Sequence, residues 1–422
     1  MTDVGQAPGL PDHFFRHEFG RLVAALVRRF GAARLEQCED AVQTALMRAV
    51  HAWSSQGQPT DPSAWLYRVA LNEVLGGLRR ERRAEAALGG VALGVEDGAG
   101  AEDTVYLDHE VADGQLRMMF ICGDPSLSRD SQLVFALKTL CGFSVNEIAL
   151  RLFQTPEATY KRLQRARASL RAHVQTTDTP PVGELAARLP AVWQMIYLLF
   201  TEGYSSAQPD TVLCRELCDE AIRLSLILAQ HPVGDVPETD ALLALMYLDV
   251  SRFDAREDGA GGLLLLGAQD RSRWNRDLIA RGMYHLERAA RGDRLSRYHL
   301  EAGIAAEHCL AASYDETRWD EIARLYELLD RVAPSPINAM NRAIAVAERH
   351  GPEAGLAALA ALTPPGWLQG YYLWDATLGE LHRRAGHLDV AREYLRRARD
   401  GALTHAEQAL LARRLAACDA SA

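Results

Sequence analysis

Residues Val145 to Arg171 read VNEIALRLFQTPEATYKRLQRARASLR, and this stretch decides how the first part of the chain folds. Ile148, Ala149 and Leu152 share one face of a short helix. Phe153, Gln154 and Thr155 make a three-residue turn, and Pro156 suits the first turn of a longer helix. Leu163, Ala166 and Leu170 would line the inner side of that second helix, so the spacing predicts a helix-turn-helix. Its outward face would then present Glu157, Thr159, Lys161, Arg162 and Arg165. Arg and Lys can reach guanine edges and phosphates, Glu accepts from a cytosine amino group, and Thr touches a thymine methyl or a phosphate. The same pattern also describes an ordinary helical hairpin with a solvated basic face.

Upstream, Phe14, Phe15, Phe19, Leu22, Val23, Leu26, Val27 and Phe30 recur at helical spacing and Gly31 is a natural stop. A second helix runs from about Leu35 to Trp53, ending before the turn-rich Ser54–Pro59. A third begins near Pro62 and carries Trp65, Tyr67 and Asn72 into the cluster Arg79-Arg80-Glu81-Arg82-Arg83. Aromatics beside arginines suit a nucleic-acid strand being opened, because rings stack on bases while guanidinium groups pair with phosphates. Gly76-Gly77 predicts a weak point in this helix, since each glycine costs about 1 kcal/mol relative to alanine. Further helices are expected over 128–140, 145–152 and 156–173.

Charge sharpens this organisation. The chain has 422 residues and a net charge of −10, which argues against a protein that coats nucleic acid indiscriminately. Residues 1–175 hold 20 cationic and 21 acidic side chains; the rest holds 26 and 35, so the acidity is concentrated downstream. Within the first part, residues 79–83 carry +3 and residues 156–173 carry +4, whereas residues 84–116 contain eight carboxylates and no Lys or Arg. Two basic patches are thus separated by an acidic tether, flexible in its GGVALGVEDGAGAED portion. The seven cysteines are scattered, without a CxxC pair, and read as reduced thiols; Cys214 and Cys218, one helical turn apart, read as core. Neither a spanning segment nor a signal peptide is legible, so a cytoplasmic protein is expected.

Thr176–Pro181 breaks the helical pattern and predicts a boundary. Beyond it the chain reads as helix after helix. A period near 35 sets Gly351 against Gly386, and the last unit, with Leu378-Gly379, Ala391, Leu395 and Ala398, places small residues where tetratricopeptide (TPR) helices approach closely. A unit with Trp319, Tyr326 and Pro334 matches loosely, and an irregular helical domain is the alternative. The expected fold is all-α: helical domains over 11–83 and 116–175, a linker over 84–115, and a TPR-like domain over 182–420.

Four motifs in this order resemble bacterial sigma factors of the extracytoplasmic-function type: Asp40-Ala41-Val42-Gln43-Thr44-Ala45-Leu46, Trp65–Asn72, Arg79-Arg80, and Gly142–Ala149. The resemblance covers residues 11–173. Downstream, Phe200–Tyr204, Leu217–Leu224, Gln269–Trp274 and Asn341-Arg342-Ala343 are similar to the helical-repeat extension of one sigma subgroup. The resemblance implies that Asp40 and Gln43 bind the β′ subunit of core RNA polymerase, with β contacts elsewhere. It implies that Trp65, Asn72, Arg79, Arg80, Arg82 and Arg83 lie at the −10 promoter element. Thr155, Glu157, Thr159, Lys161, Arg162 and Arg165 would lie at the −35 element. The family commonly has an acidic residue near position 76, where this chain has glycine, so promoter preference does not transfer there.

No HExxH, GxSxG, Walker loop or metal quartet occurs, so no enzyme activity, cofactor or metal is expected. The expected partners are core RNA polymerase and promoter DNA; the C-terminal helices either offer a groove to a protein partner or fold back to restrain the DNA-binding modules. A helix-turn-helix regulator with a TPR sensor, acting without polymerase contact, is the rival reading; a TPR scaffold with packed N-terminal helices is a third.

Overall fold

The computed structural model describes residues 12–89, 108–152, 154–173, 182–205, 213–258, 262–363, 365–369 and 371–420. Among the described residues there are helices and turns but no strand, only an isolated antiparallel bridge between Glu257 and Leu263, so the all-α expectation is met. Most of the expected GGVALGVEDGAGAED tether, Phe153, and the whole Thr176–Pro181 tract lie outside the described residues. The chain divides into two compact units, Met1–Leu199 and Phe200–Ala422.

The first unit contains α1 (Asp12–Phe30), α2 (Leu35–Gln56), α3 (Pro62–Gly89), α4 (Asp108–Cys122), α5 (Arg129–Thr139), α6 (Val145–Arg151), α7 (Pro156–His173) and most of α8 (Val182–Tyr204). The division between the units falls inside α8, some twenty residues beyond the Thr176–Pro181 tract. Local chemistry sets the boundaries. Gly31 ends α1 with φ 87°, a left-handed conformation that costs glycine little. Ser144 and Glu147 cap α6 reciprocally, at 2.8 and 3.2 Å, and Ser128 caps α5. Helical structure reaches into both ends of the expected 84–115 tether, since α3 runs to Gly89 and α4 starts at Asp108. Gly76 and Gly77 do not interrupt α3, because tertiary packing against α2 outweighs their poor propensity.

Leu22, Leu26, Leu66, Met118, Met119, Phe135, Leu137, Leu140, Phe143 and Ile148 are all fully buried in this unit. One core therefore serves α1–α3 and the helix-turn-helix helices alike. At Gly20 of α1 a Cβ would stand 1.9 Å from the Leu140 carbonyl oxygen, so only glycine lets α1 meet the end of α5. Beside that crossing, Lys138 sits 5.5 Å from the Phe19 ring. Glu39 of α2 accepts from the Thr139 hydroxyl at 2.9 Å and pairs with Arg167 of α7, while Glu36 lies 3.7 Å from the same guanidinium. Glu39 and Thr139 are buried, so a charged pair closes the seam between the two helical modules.

The second unit contains α9 (Arg215–Gln230), α10 (Pro237–Val250), α11 (Arg276–Ala289), α12 (Arg297–Leu310), α13 (Trp319–Val332), α14 (Pro336–His350), α15 (Pro352–Ala360), α16 (Gly366–Gln369), α17 (Tyr372–Arg384), α18 (Leu388–Gly401) and α19 (His405–Ala420). Most helices pack on the next in sequence: α10 on α11, α13 on α14, α14 on α15, α17 on α18. Gly351 and Gly386, 35 residues apart, both take positive φ, at 94° and 81°, just before α15 and α18. A Cβ on Gly379 would meet Leu395 at 2.8 Å, and Ala391 and Ala398 are fully buried, so small residues do permit a close α17–α18 approach. α10 is buried along nearly its whole length, which explains why it shows almost no amphipathic stripe. All seven cysteines are free thiols, and Cys218 packs in the core with its thiol pushed up by burial. No helix among the described residues is long and apolar enough to cross a membrane.

Two stability experiments test the seam. Gly20→Val should destabilise the first unit by about 1–3 kcal/mol through overpacking, read as a lower first melting transition of the full chain; an unchanged transition would mean that α1 and α5 do not meet. Arg167→Ala should cost about 3–5 kcal/mol by stranding Glu39, whereas the double variant Glu39→Leu/Arg167→Met should melt close to the wild type. Equal losses in both would refute a buried pair.

Candidate polymerase and nucleic-acid interface

The distribution of ion pairs across α2 and α3 decides what this surface can bind. Glu73 of α3 pairs with Arg48 at 2.6 Å, and Glu81 pairs with Arg34 at 3.0 Å and bonds Gln37. Both acids of the α3 segment 62–83 therefore face α2. Asn72, Arg79, Arg80, Arg82 and Arg83 are exposed, and none of these four arginines forms an ion pair among the described residues. The cations stand uncompensated because their neighbouring carboxylates are spent elsewhere. Arg68 is exposed too, and its spacing of four from Asn72 and eleven from Arg79 puts it on the same face. Sequence reading passed over it, although the i, i+4, i+11 interval was there to be counted.

Trp65 is half-buried, and its ring meets Trp53 edge-on at 5.4 Å in a cluster that also holds Phe14 and Phe15. It is anchored as part of the core, with one side left accessible. On α2, Asp40 and Gln43 are exposed, and Met47, 57% exposed, continues their stripe at i, i+3, i+7. Met47 was not singled out by sequence reading; a large apolar side chain on the solvent face of an amphipathic helix is the signal that marks it. Glu39, next to Asp40, points the other way, into the seam with α7.

α7 presents Glu157, Lys161 and Arg165 to solvent, joined by Tyr160, which is 53% exposed and accepts from Gln164 at 3.0 Å. Thr155 is exposed before the helix, where its hydroxyl accepts from the Ala158 amide at 3.2 Å. Arg162 lies at the edge of this face and pairs with Asp130 at 2.5 Å, which spends part of its charge within the protein. Thr159 does not face outward as expected: it is fully buried, and its hydroxyl has no hydrogen-bond partner among the described residues. The helical period explains the correction, because Thr159 precedes Leu163 by four and Ala166 by seven and so joins the inner stripe. Arg167, on the flank of α7, is committed to Glu39 and not to the outer face.

Burial governs the titrating groups of this unit. The Cys38 thiol is pushed up to about 12 by burial and by the adjacent Glu39 charge, and burial lowers the Lys138 ammonium. Among the described residues no group of three or more His, Cys, Asp or Glu side chains could hold a metal ion. What the arrangement offers is two exposed cationic helix faces, on α3 and α7, and a mixed polar and apolar stripe on α2.

Comparison with known proteins meets this geometry where the cationic α3 lies. Residues 15–84 match the model of Sigma-70 region 2, and residues 188–290 match a family of unknown function (DUF6596). An uncharacterized protein of Rhizobium meliloti is 38% identical over 378 residues, covering 89% of this chain and 88% of that protein. The RNA polymerase sigma factor NccH of Alcaligenes xylosoxydans xylosoxydans is 30% identical over 160 residues, 38% of this chain and 84% of that protein. No solved structure matches the chain. On the region 2 match and the likeness to a sigma factor over most of that factor's length, the chain belongs to the sigma-70 family of RNA polymerase sigma factors, which are non-enzymatic transcription initiation factors.

Proposed function

We propose that the chain is a sigma factor of the extracytoplasmic-function type that binds core polymerase through α2 and contacts two promoter elements through α3 and α7. The observation that carries this reading is the coincidence of the region 2 match, residues 15–84, with an α3 face whose arginines have no carboxylate partners among the described residues. Asp40 and Gln43, extended by Met47, are the residues for the β′ subunit, and contacts with β belong to the remainder of the assembly. Asn72, Arg79, Arg80, Arg82 and Arg83, with Arg68, serve the −10 element by pairing with phosphates as the strands separate; Trp65 supplies a ring for stacking. Thr155, Glu157, Lys161 and Arg165 serve the −35 element as a helix-turn-helix, with Arg162 contributing once it leaves Asp130.

Each module alone holds few contacts, so specificity comes from joining them on one polymerase, where the second contact forms at a high effective concentration. The segment 11–83 is thus a region 2-like domain, 84–115 an acidic tether, 116–175 a region 4-like domain and 182–420 a TPR-like extension that takes a protein partner. The paired α17 and α18, with their close approach at Gly379 and Leu395, support the TPR-like assignment.

Purified core polymerase with the full chain should yield transcripts from a cognate promoter and none from an unrelated fragment; a chain that binds duplex DNA but never directs initiation would favour the regulator reading. Asp40→Ala/Gln43→Ala should weaken core association about tenfold or more without lowering the melting temperature, and unchanged affinity would remove those residues from the contact. Lys161→Ala/Arg165→Ala should reduce −35-dependent initiation, each lost contact costing about 1–3 kcal/mol. Thr159→Val should leave initiation intact and leave stability unchanged or raised, because it replaces a buried hydroxyl that has no partner.

A further inference from the structure

Almost every arginine of the second unit is spent inside the protein. Arg318 pairs with Glu307, Arg324 with Glu321, Arg349 with Asp320, Arg383 with Glu380 and Arg392 with Asp389. Arg271 donates to the His308 and Ala311 carbonyls at 2.6 and 2.8 Å, and Arg256 to the Tyr204 carbonyl at 2.6 Å. Among the described residues, Arg273, Arg276, Arg281, Arg294 and Arg396 have neither a carboxylate nor a carbonyl partner, and four of these five fall between positions 273 and 294. Residues 271–297 carry eight arginines against three acids within a strongly acidic half of the chain.

The geometry of α11 turns this excess outward. Ile279, Gly282 and Ala289 form its buried side, and Gly282 is pressed onto Leu248 of α10, where a Cβ would stand 2.6 Å away. The opposite side carries Arg281, Tyr284 and Arg288 at i, i+3, i+7, with Tyr284 57% exposed in the middle and the Arg288 guanidinium 5.9 Å from its ring. Arg288 is fixed by Asp240 and Asp235, at 3.0 and 2.8 Å, so it stiffens the face instead of supplying free charge. Asp277 shares the face but pairs with no arginine, and Arg276 and Arg281 remain available beside it. Arg291 and Arg294 extend the patch beyond the helix end.

We infer that the exposed face of α11 and its continuation to Arg294 is a third nucleic-acid contact, binding the phosphate backbone of duplex DNA without reading sequence. Three features favour a repeating polyanion: guanidinium groups spread along the helix, an exposed phenol at the centre, and positions from Arg276 to Arg288 spanning about 18 Å of axis. Duplex DNA carries roughly one charge per 1.7 Å of axis, so such a stripe faces several phosphates at once. The inference rests on the sigma-factor reading for its biological setting, since that reading is what brings the chain to DNA, and it adds a surface outside both promoter-reading modules.

The experiment uses the full chain, wild type and Arg276→Gln/Arg281→Gln/Arg294→Gln, with a 40-base-pair duplex of unrelated sequence as the probe, titrated over a range of potassium chloride concentrations. The variant should bind about tenfold or more weakly at low salt, and the slope of log affinity against log salt should fall by about 3, at roughly 0.9 per lost phosphate contact. Equal affinity and slope for the two proteins would overturn the inference. An unchanged DNA slope together with weakened binding of a polyglutamate peptide would assign the face to an acidic protein and overturn it equally. All three positions are exposed, so folding should survive; if the triple variant melts early, Arg281→Gln alone should still lower the slope by about 1. The sigma-factor reading fails separately, if the wild type directs no initiation with core polymerase, and that result would leave the duplex measurement standing.

Discussion

A buried carboxylate at Glu39 is the point on which the first unit turns. Taking that charge out of water is tolerable only because Arg167 and the Thr139 hydroxyl meet it, and those partners come from α7 and α5. The pair therefore obliges the helix-turn-helix to lie against α2. Around it, Gly20 lets α1 touch the Leu140 carbonyl and Phe19 receives Lys138. An apolar seam would hold two modules together in many registers, whereas a buried ion pair is satisfied in one, and the core residues on both sides then pack to suit that register.

The same rule, that a carboxylate is spent on the nearest cation of a neighbouring helix, shapes the binding surfaces. Glu73 and Glu81 are taken by Arg48 and Arg34 on the α2 side of α3, which leaves the arginines of the opposite side without counter-charges among the described residues. On α11, Asp235 and Asp240 hold Arg288, and Asp240 also meets His285 at 2.8 Å and lies 4.0 Å from Arg291, whereas Arg276, Arg281 and Arg294 have no carboxylate partner among the described residues. On α3 a modest local excess of cations thus becomes a stronger field, because internal pairing holds Glu73 and Glu81 against α2 and leaves the bases facing outward. Net charge alone, which is negative, would have pointed away from nucleic acid.

Asp40 and Glu39 show how one step along a helix separates two duties. Asp40 faces solvent, and with Gln43 and Met47 it forms a stripe that a partner can reach; Glu39, one residue earlier, is sealed in the seam with α7. A helix placed between a structural interface and an exposed one must divide its residues by angle, and α2 does so at adjacent positions. Any rearrangement that moves α7 off α2 would also uncover Glu39, whereas the outer face of α7 is exposed with that seam closed.

The amino-acid order by itself determined the helices, because hydrophobic period, prolines at first turns and glycines at ends are local signals: Gly31, Pro62 and Pro156 each stand at the boundary they imply. It also determined the charge blocks at 79–83 and 156–173 and the motifs that mark the family. Only the tertiary structure decided which residues of those blocks remain available, since pairing depends on neighbours far away in the chain. Thr159 turned inward because it shares a stripe with Leu163 and Ala166, Arg162 went to Asp130, and Arg167 went to Glu39 across 128 positions. Gly76-Gly77 stayed helical for the same reason: propensity is a property of the segment, but the energy that overrules it comes from the α2 surface it packs against.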